Sequence, residues 1–387
     1  MPIVERVEVH QFSYPVRHLG RDHAGNFVYA PDGNAAMDGF AVRVFADDGV
    51  VGEFVPIFGG KKAYLGQVLT VAPLLLGRDP DQREGFHTDA KRVLRHSGAI
   101  GASAWDCALW DMAGKRLGTS VARLLGAHRF RLPAYASTLH ADRNGGLDSP
   151  QAFADFAVHC RELGFKAFKV HGWSDGDARE EAANLLHLRK VVGDDMALMI
   201  DPACELRTFA DALYLGRACD EIGALWYEDP FRDGGWSQHA HRKLRQTLKT
   251  PLLITEHVRG LEPKADFIAS EATDFVRADP NLDLGITGTM KIAHLAEAFG
   301  LDCELHGPGP AHRACMAAMR NSNYYELGLV APHVGNAAPP AYLCDYSEAL
   351  ESVGSDGCYP VPDGQGLGVR YDWEFIRART EQVHRFG

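Results

Sequence analysis

Seven short apolar runs between residues 165 and 326 each end on or near a side chain that can do chemistry. In chain order these are Lys169 with His171, then Asp201, Glu228, Glu256, Asp279, His306 and Glu326. The three consecutive runs ALMID, ALWYE and LLITE end on carboxylates. Three acids gathered in a low-dielectric pocket repel one another strongly. A divalent cation removes that repulsion, and all-oxygen ligation with room for water and a substrate oxygen suits Mg2+ better than Zn2+ or copper. The alternative is that each acid pairs with a Lys or Arg or caps the next helix. For three successive strand ends, clustering without a metal carries a direct electrostatic cost.

The nitrogen bases follow the same grammar. Lys169 and His171 are two apart in AFKVH, so both face one side of a strand. The alternative for Lys169 is an ion pair with a metal-ligating acid, which is compatible with function. Asp279 closes FVRAD and His306 follows CEL one unit later, so the carboxylate can accept from the imidazole and fix its tautomer. Glu326 can donate a proton to a substrate carboxylate if burial raises its pKa; its alternative is a hydrogen-bond partner for a loop. A cation among carboxylates, flanked by nitrogen bases, suits removal of a proton α to a carboxylate. The second group then reprotonates the far face, which is racemisation, or protonates a departing β-hydroxyl, which is dehydration.

Positioning these groups needs a closed sheet. Successive run ends are 20 to 32 residues apart, room for one crossover helix and two turns, so the pattern reads as repeated βα units. Polar groups at the ends of parallel strands converge only at the carboxyl-terminal mouth of a (β/α)8 TIM barrel. Alternation places Met199 and Asp201 inward, Trp226 with Glu228, and Ile254 with Glu256. LPAYAST, 132–138, is the first barrel strand. Ser149-Pro150 opens the following helix and Gly164 closes it, Thr208 with Asp211 opens another, and 290–299 forms one closed by Gly300.

Upstream, residues 3–9 alternate, and 40–55 reads as two strands joined at Asp47-Asp48-Gly49. Between them, 17–34 is rich in His, Arg, Asp and Gly and reads as a mobile surface loop, either capping a pocket or solvated. Residues 65–125 are helical, and 102–117 is apolar on most sides, as a helix buried between two layers is. The tail, 340–387, is turn-rich and is expected to return to the amino-terminal domain. At 387 residues with net charge −11, the chain suits two domains and carries no basic cluster for nucleic acid. It has no run long enough to span a membrane and no visible secretory signal, and its eight cysteines lack a CxxC pattern. The reading is a cytoplasmic protein with reduced thiols, Cys107, Cys160 and Cys219 among them in the core.

At these residues the chain resembles the enolase superfamily, mandelate racemase subgroup. The likeness rests on SAWDCALWDMAGK, on Asp, Glu, Glu at three successive strand ends, on the Asp279–His306 pair with GITG between them, and on Glu326. It implies an α/β fold: a modified (β/α)8 barrel over 131–344 under an α+β cap made from 1–130 and the returning 345–387. It implies Mg2+ on Asp201, Glu228 and Glu256, His306–Asp279 as one acid/base, and Lys169 beside the carboxylate of a small-molecule substrate. The subgroup's Lys-x-Lys is Lys169-x-His171 here, its usual asparagine is Ala203, and His257 follows the third ligand. Acid-sugar dehydration to a 2-keto-3-deoxy acid, the commoner activity in the subgroup, is the leading expectation, with a 2-hydroxy-acid racemase or epimerase second. A metal-dependent binding or regulatory protein without turnover is third. His18, Arg21, His23 and the pair Lys61-Lys62 are candidate contacts for a hydroxylated anion, as is His257. A homo-oligomer is expected, as is common for such folds.

Overall fold

The computed structural model describes residues 1–22, 25, 27–57, 62–141, 143, 146–232 and 234–387. The chain opens with β1 (Val4–Arg21), β2 (Phe27–Ala46) and β3 (Val51–Phe54), which join β13 (Thr380–Phe386) in an antiparallel sheet of order β13-β1-β2-β3. The segment 17–34 is not a free loop: it extends the β1–β2 hairpin. Arg17 pairs with Asn34, and beyond a register shift Leu19 pairs with Tyr29 and Arg21 with Phe27. Its polar composition hides three buried side chains, Leu19, Val28 and Tyr29. Backbone pairing of Arg17, Leu19, Gly20 and Arg21 with Asn34, Tyr29, Val28 and Phe27 orders these residues regardless of side-chain polarity. The hairpin reaches the next sheet, where the Tyr29 N–H donates to the His140 carbonyl at 2.9 Å.

Helices α1 (Lys62–Val71), α2 (Arg83–Val93), α3 (Ala102–Arg116) and α4 (Val121–Leu124) follow. Helix α3 is buried over most of its surface, including two acids, Asp106 and Asp111. Asp111 accepts from the backbone of Glu53 on β3 and of Leu367 in the tail, both at 2.9 Å. Thus one helix interior side chain holds both chain termini's segments together.

Eight parallel strands come next: β4 (Arg131–Thr138), β5 (Ala167–His171), β6 (Ala197–Asp201), β7 (Tyr227–Glu228), β8 (Leu252–Ile254), β9 (Phe275–Ala278), β10 (Asp302–Leu305) and β11 (Tyr325–Val330). Their ladder runs β10-β9-β8-β7-β6-β5-β4-β11, with β12 (Cys358–Pro360) added antiparallel to β4. The two ladder ends meet through the Cys303 N–H on the Asn321 carbonyl at 2.7 Å and the Gly307 N–H on Glu326 at 2.7 Å. Crossovers are made by α5 (Pro150–Leu163), α6 (Ala178–Val192), α7 (Phe209–Ile222), α8 (Gln238–Arg245), α9 (Leu261–Ala269), α10 (Gly285–Ala298) and α11 (Pro310–Ala318); α12 (Trp373–Arg379) leads into β13. Ser149 and Thr208 accept from backbone N–H groups three residues on, starting α5 and α7. No helix among the described residues is long and apolar enough to cross a membrane.

Inside the curled sheet, Tyr135, Ala167, Met199, Trp226 and Leu253 form an apolar floor. Leu253, not Ile254, is the inward residue of β8; Ile254 packs with the outer core. The alternation that runs through Met199 and Asp201 is broken by Thr255, whose φ of +88° re-aims the chain before Glu256. Thr255 is held there by its hydroxyl donating to the Arg277 carbonyl at 3.1 Å.

Cap and barrel meet where Asp106 of α3 accepts from the Thr287 N–H at 2.9 Å and the Thr287 hydroxyl at 2.6 Å, in the first turn of α10. It does the work of an N-cap from another element. Gly285 makes room for it: φ is +76°, and a Cβ there would lie 2.2 Å from Asp106 Oδ2. Gly285→Ala should destabilise the fold by at least the ~1–3 kcal/mol of a strained backbone conformation, read by denaturant unfolding.

Under the loop after β5, the fully enclosed Glu181 accepts from the Trp173 N–H at 2.7 Å. Burial pushes its carboxyl up to about 8, the Trp173 N–H pulling the other way. The folded form therefore binds a proton that the unfolded form has released between the ordinary glutamate range and about pH 8, so stability falls as pH rises through that window. Glu181→Gln should flatten this slope, raising the melting temperature at pH 9 by several degrees relative to wild type.

Candidate active site

Successive inward positions above the floor carry charge. On β5, Ala167 belongs to the floor, Lys169 lies above it and His171 is nearest the mouth. Lys169 Nζ is fully enclosed, 2.8 Å from Glu228, 2.9 Å from Glu326 and 3.6 Å from Asp201. Arg277, inward on β9, lies 2.9 Å from Glu228 and 2.6 Å from Glu326, and donates to the Tyr135 hydroxyl at 2.9 Å. Lys169, Glu228, Arg277 and Glu326 thus form a closed ring of alternating sign. Burial works against both cations, but Glu228 and Glu326 outweigh it and hold each well above its ordinary range.

Glu326 is accordingly an ionised acceptor, not a proton donor. Burial alone would raise its carboxyl, but Arg277 and Lys169 hold it well below the usual range. Both oxygens are engaged: Lys169 lies 2.9 Å from Oε1, while Arg277 and the Gly307 N–H, at 2.7 Å, share Oε2. Sequence reading missed Arg277 because FVRAD looks like an apolar strand with one polar interruption. The period of two that faces Phe275 and Asp279 inward also faces Arg277 inward.

Asp201, Glu228 and Glu256 each bring one carboxylate oxygen within 4.8 Å of the others. His171 and Lys169 outweigh burial and hold Asp201 well below its ordinary range. His306 and His257 do the same for Glu256, down to about 2. Burial pushes Glu228 the other way, and its Oε1 forms no hydrogen bond although Arg277 Nε stands near it. Hard oxygen donors, two firmly ionised and a third with a buried oxygen outside any hydrogen bond, fit a Mg2+-type ion.

Two imidazoles flank this triad. His171 Nδ1 donates to the Thr138 carbonyl at 2.7 Å, which turns Nε2 toward Asp201 at 3.1 Å. His306 Nδ1 meets Asp279 at 2.9 Å, and Nε2 stands 3.4 Å from Glu256. Asp279 also holds His312 at 3.2 Å and accepts from the Asn281 N–H at 2.7 Å. Burial would raise Asp279, but these imidazoles hold it well below the carboxylate range; Glu256 and Asp279 in turn raise His306 against its burial. His312 lies on α11, and nothing in its sequence neighbourhood pointed to the pair.

The other candidate contacts fare differently. His257 is at the rim, its Nε2 3.6 Å from Glu256. Arg21 lies over the Phe27 ring and donates to the Gly25 carbonyl, and His18 accepts from the Asp32 N–H and faces His333 beyond β11. His23 and Lys61 lie outside the described residues, and Lys62 is exposed at the start of α1.

Comparison with known proteins gives the family. Residues 152–375 match the enolase C-terminal domain-like family, and 37–126 match the mandelate racemase / muconate lactonizing enzyme N-terminal domain. The crystal structure of D-glucarate dehydratase from Agrobacterium tumefaciens complexed with magnesium is similar at a TM-score of 0.87 and 30% identity, covering 98% of this chain and 99% of that one. L-talarate/galactarate dehydratase of Salmonella typhimurium is 28% identical over 85% of this chain and 78% of its own length. A D-galactonate dehydratase family member of Streptomyces bingchenggensis is 29% identical over 88% and 89%. With one family model matching more than half of the chain and a second matching 37–126, the chain belongs to the enolase superfamily, in its mandelate racemase group.

Proposed function

We propose that this protein is a Mg2+-dependent acid-sugar dehydratase that removes the proton α to a carboxylate and converts an aldonate or aldarate to a 2-keto-3-deoxy acid. The observation that carries this reading is the placement of two oriented imidazoles, His171 and His306, on well-separated strands around one carboxylate triad. Several relatives matched over most of the chain are named as sugar-acid dehydratases, and a neighbour at 30% identity is complexed with magnesium. Asp201, Glu228 and Glu256 would hold Mg2+, which when bound supplies positive charge where the substrate carboxylate gains negative charge.

His171 is the base. Its Nδ1 is tied to the Thr138 carbonyl, so Nε2, which faces Asp201 at 3.1 Å, is the nitrogen that would take the α-proton. Lys169 is fixed by three carboxylates and keeps positive charge under the substrate end of the site. His306, whose pKa Asp279 and Glu256 raise, gives a proton to the departing β-hydroxyl, so water leaves and the enol product becomes the ketone. Epimerisation at the α carbon is the second reading. The same pair of imidazoles favours it, since either can return a proton to the face it borders.

A library of aldonates and aldarates, screened for keto-acid formation with and without EDTA, tests the proposal. Turnover should appear with one or a few members and vanish with EDTA. His306→Asn should lose keto-acid formation by ~10²–10⁴-fold yet still exchange the α-proton with D2O, whereas His171→Asn should lose both. Full turnover in His306→Asn removes the dyad's role. Deuterium in recovered substrate without keto product selects epimerisation.

Lys169→Met opens the charge ring and leaves Glu228 and Glu326 on a single cation. It should destabilise the fold by ~3–5 kcal/mol, the cost of breaking a buried ion pair from one side. Added Mg2+ should restore part of that loss in thermal unfolding.

A further inference from the structure

We propose that Cys204, Asp229 and His257 form a second cation site at the barrel rim, suited to a divalent ion of borderline softness such as Zn2+. One ligand atom from each, a thiol sulfur, a carboxylate oxygen and an imidazole nitrogen, lie within 4.8 Å of one another. These residues follow Asp201, Glu228 and Glu256 closely in the chain, so the strands that aim the triad also place them. The Cys204 N–H donates to the Asp229 carbonyl at 2.9 Å, which locks the loop after β6 to the loop after β7.

The observation that points to a ligand is independent of that clustering. Asp229 is 1% exposed, yet neither carboxylate oxygen has a hydrogen-bond partner among the described residues. A buried carboxylate without donors is costly, and buried charges are paired or coordinate metals. No Lys or Arg among the described residues forms an ion pair with it; Cys204 and His257 each bring a ligand atom within 4.8 Å, and Glu256, Asp201 and Glu228 add like charge that a cation would offset.

The donor set decides the kind of ion. Sulfur, nitrogen and oxygen together suit Zn2+ and its neighbours, whereas Mg2+ takes oxygen alone. Cys204 is half-buried and His257 exposed, which leaves the open side to water, as in sites with three protein ligands. The triad is all oxygen, so the two sites differ in preference and can be read separately.

Co2+ serves as the probe because thiolate ligation gives it a near-ultraviolet charge-transfer band that oxygen ligation lacks. Metal-stripped protein is titrated with Co2+ in excess Mg2+, so that Mg2+ holds the all-oxygen triad. One retained Co2+ per chain with the band is expected. Cys204→Ser should abolish the band and weaken Co2+ binding at least tenfold, and Asp229→Asn should weaken it while the band persists at saturation. His257→Gln, at an exposed position, repeats the test should the serine variant fail to fold. The proposal is overturned by failure to retain Co2+ against Mg2+, by a band that survives Cys204→Ser, or by unchanged Co2+ affinity in His257→Gln. Failure of Mg2+ to bind the triad would leave the thiolate band in place and so reads apart from failure of this site.

Discussion

The ring Lys169–Glu228–Arg277–Glu326 is the interaction on which the centre of the molecule depends. All four members are buried, and neighbours are 2.6 to 2.9 Å apart. Burying four charges is costly in isolation, and their attraction offsets that cost only when the remaining polar atoms are satisfied. Tyr135, Gly307 and Trp226 supply contacts of that kind from three strands or strand ends, while Glu228 Oε1 has only the Arg277 ion pair. Because the ring is neutral in sum, it places acids at the core of a barrel without leaving net charge in the apolar floor. Glu228 belongs both to this ring and to the triad above it. It therefore links the stability of the barrel interior to whatever cation the triad holds.

The mouth is built on backbone that most residues avoid. Ala203, Cys204, Asp229 and Thr255 all have positive φ, and all lie in the short connections just after β6, β7 and β8. Each such conformation costs ~1–3 kcal/mol unless its surroundings fix it. Here they do: the Ala203 N–H donates to Asp201, the Cys204 N–H to the Asp229 carbonyl, and the Thr255 hydroxyl to the Arg277 carbonyl. The strained turns let acids at the ends of very short strands reach one point, which regular alternation would not achieve on β8.

Much of this could be read from residue order. Acids at successive run ends revealed both the parallel sheet and the triad, because a charged group at the end of an apolar strand has few places to go except the mouth. The Asp279–His306 pair was visible for the same reason. The phase of β8 was not: Thr255 is β-branched and carries no local sign of positive φ, so Leu253 and Ile254 were assigned to the wrong faces. Arg277 was hidden inside a strand whose period should have exposed it. The hairpin at 17–34 was misread because composition reports side chains, whereas its order comes from backbone pairing and three buried apolar residues. Asp106 and Asp111 lie in a helix that is apolar on most sides, and their partners Thr287, Glu53 and Leu367 lie far away in the chain.

The short connection from Asp279 to Gly285 is held by the cap at several points. The Tyr64 hydroxyl donates to the Asn281 carbonyl at 2.7 Å, the Cys107 thiol meets the Pro280 carbonyl at 3.5 Å, and Asp106 fills the space beside Gly285. Asp279, which orients His306, is the first residue of that connection. The two halves are therefore poor candidates for modular exchange. A chimera that joined this barrel to a foreign cap would have to reproduce a tyrosine, a cysteine and an aspartate at matching heights. Otherwise the imidazole would be set at a different angle although every residue lining the mouth had been kept.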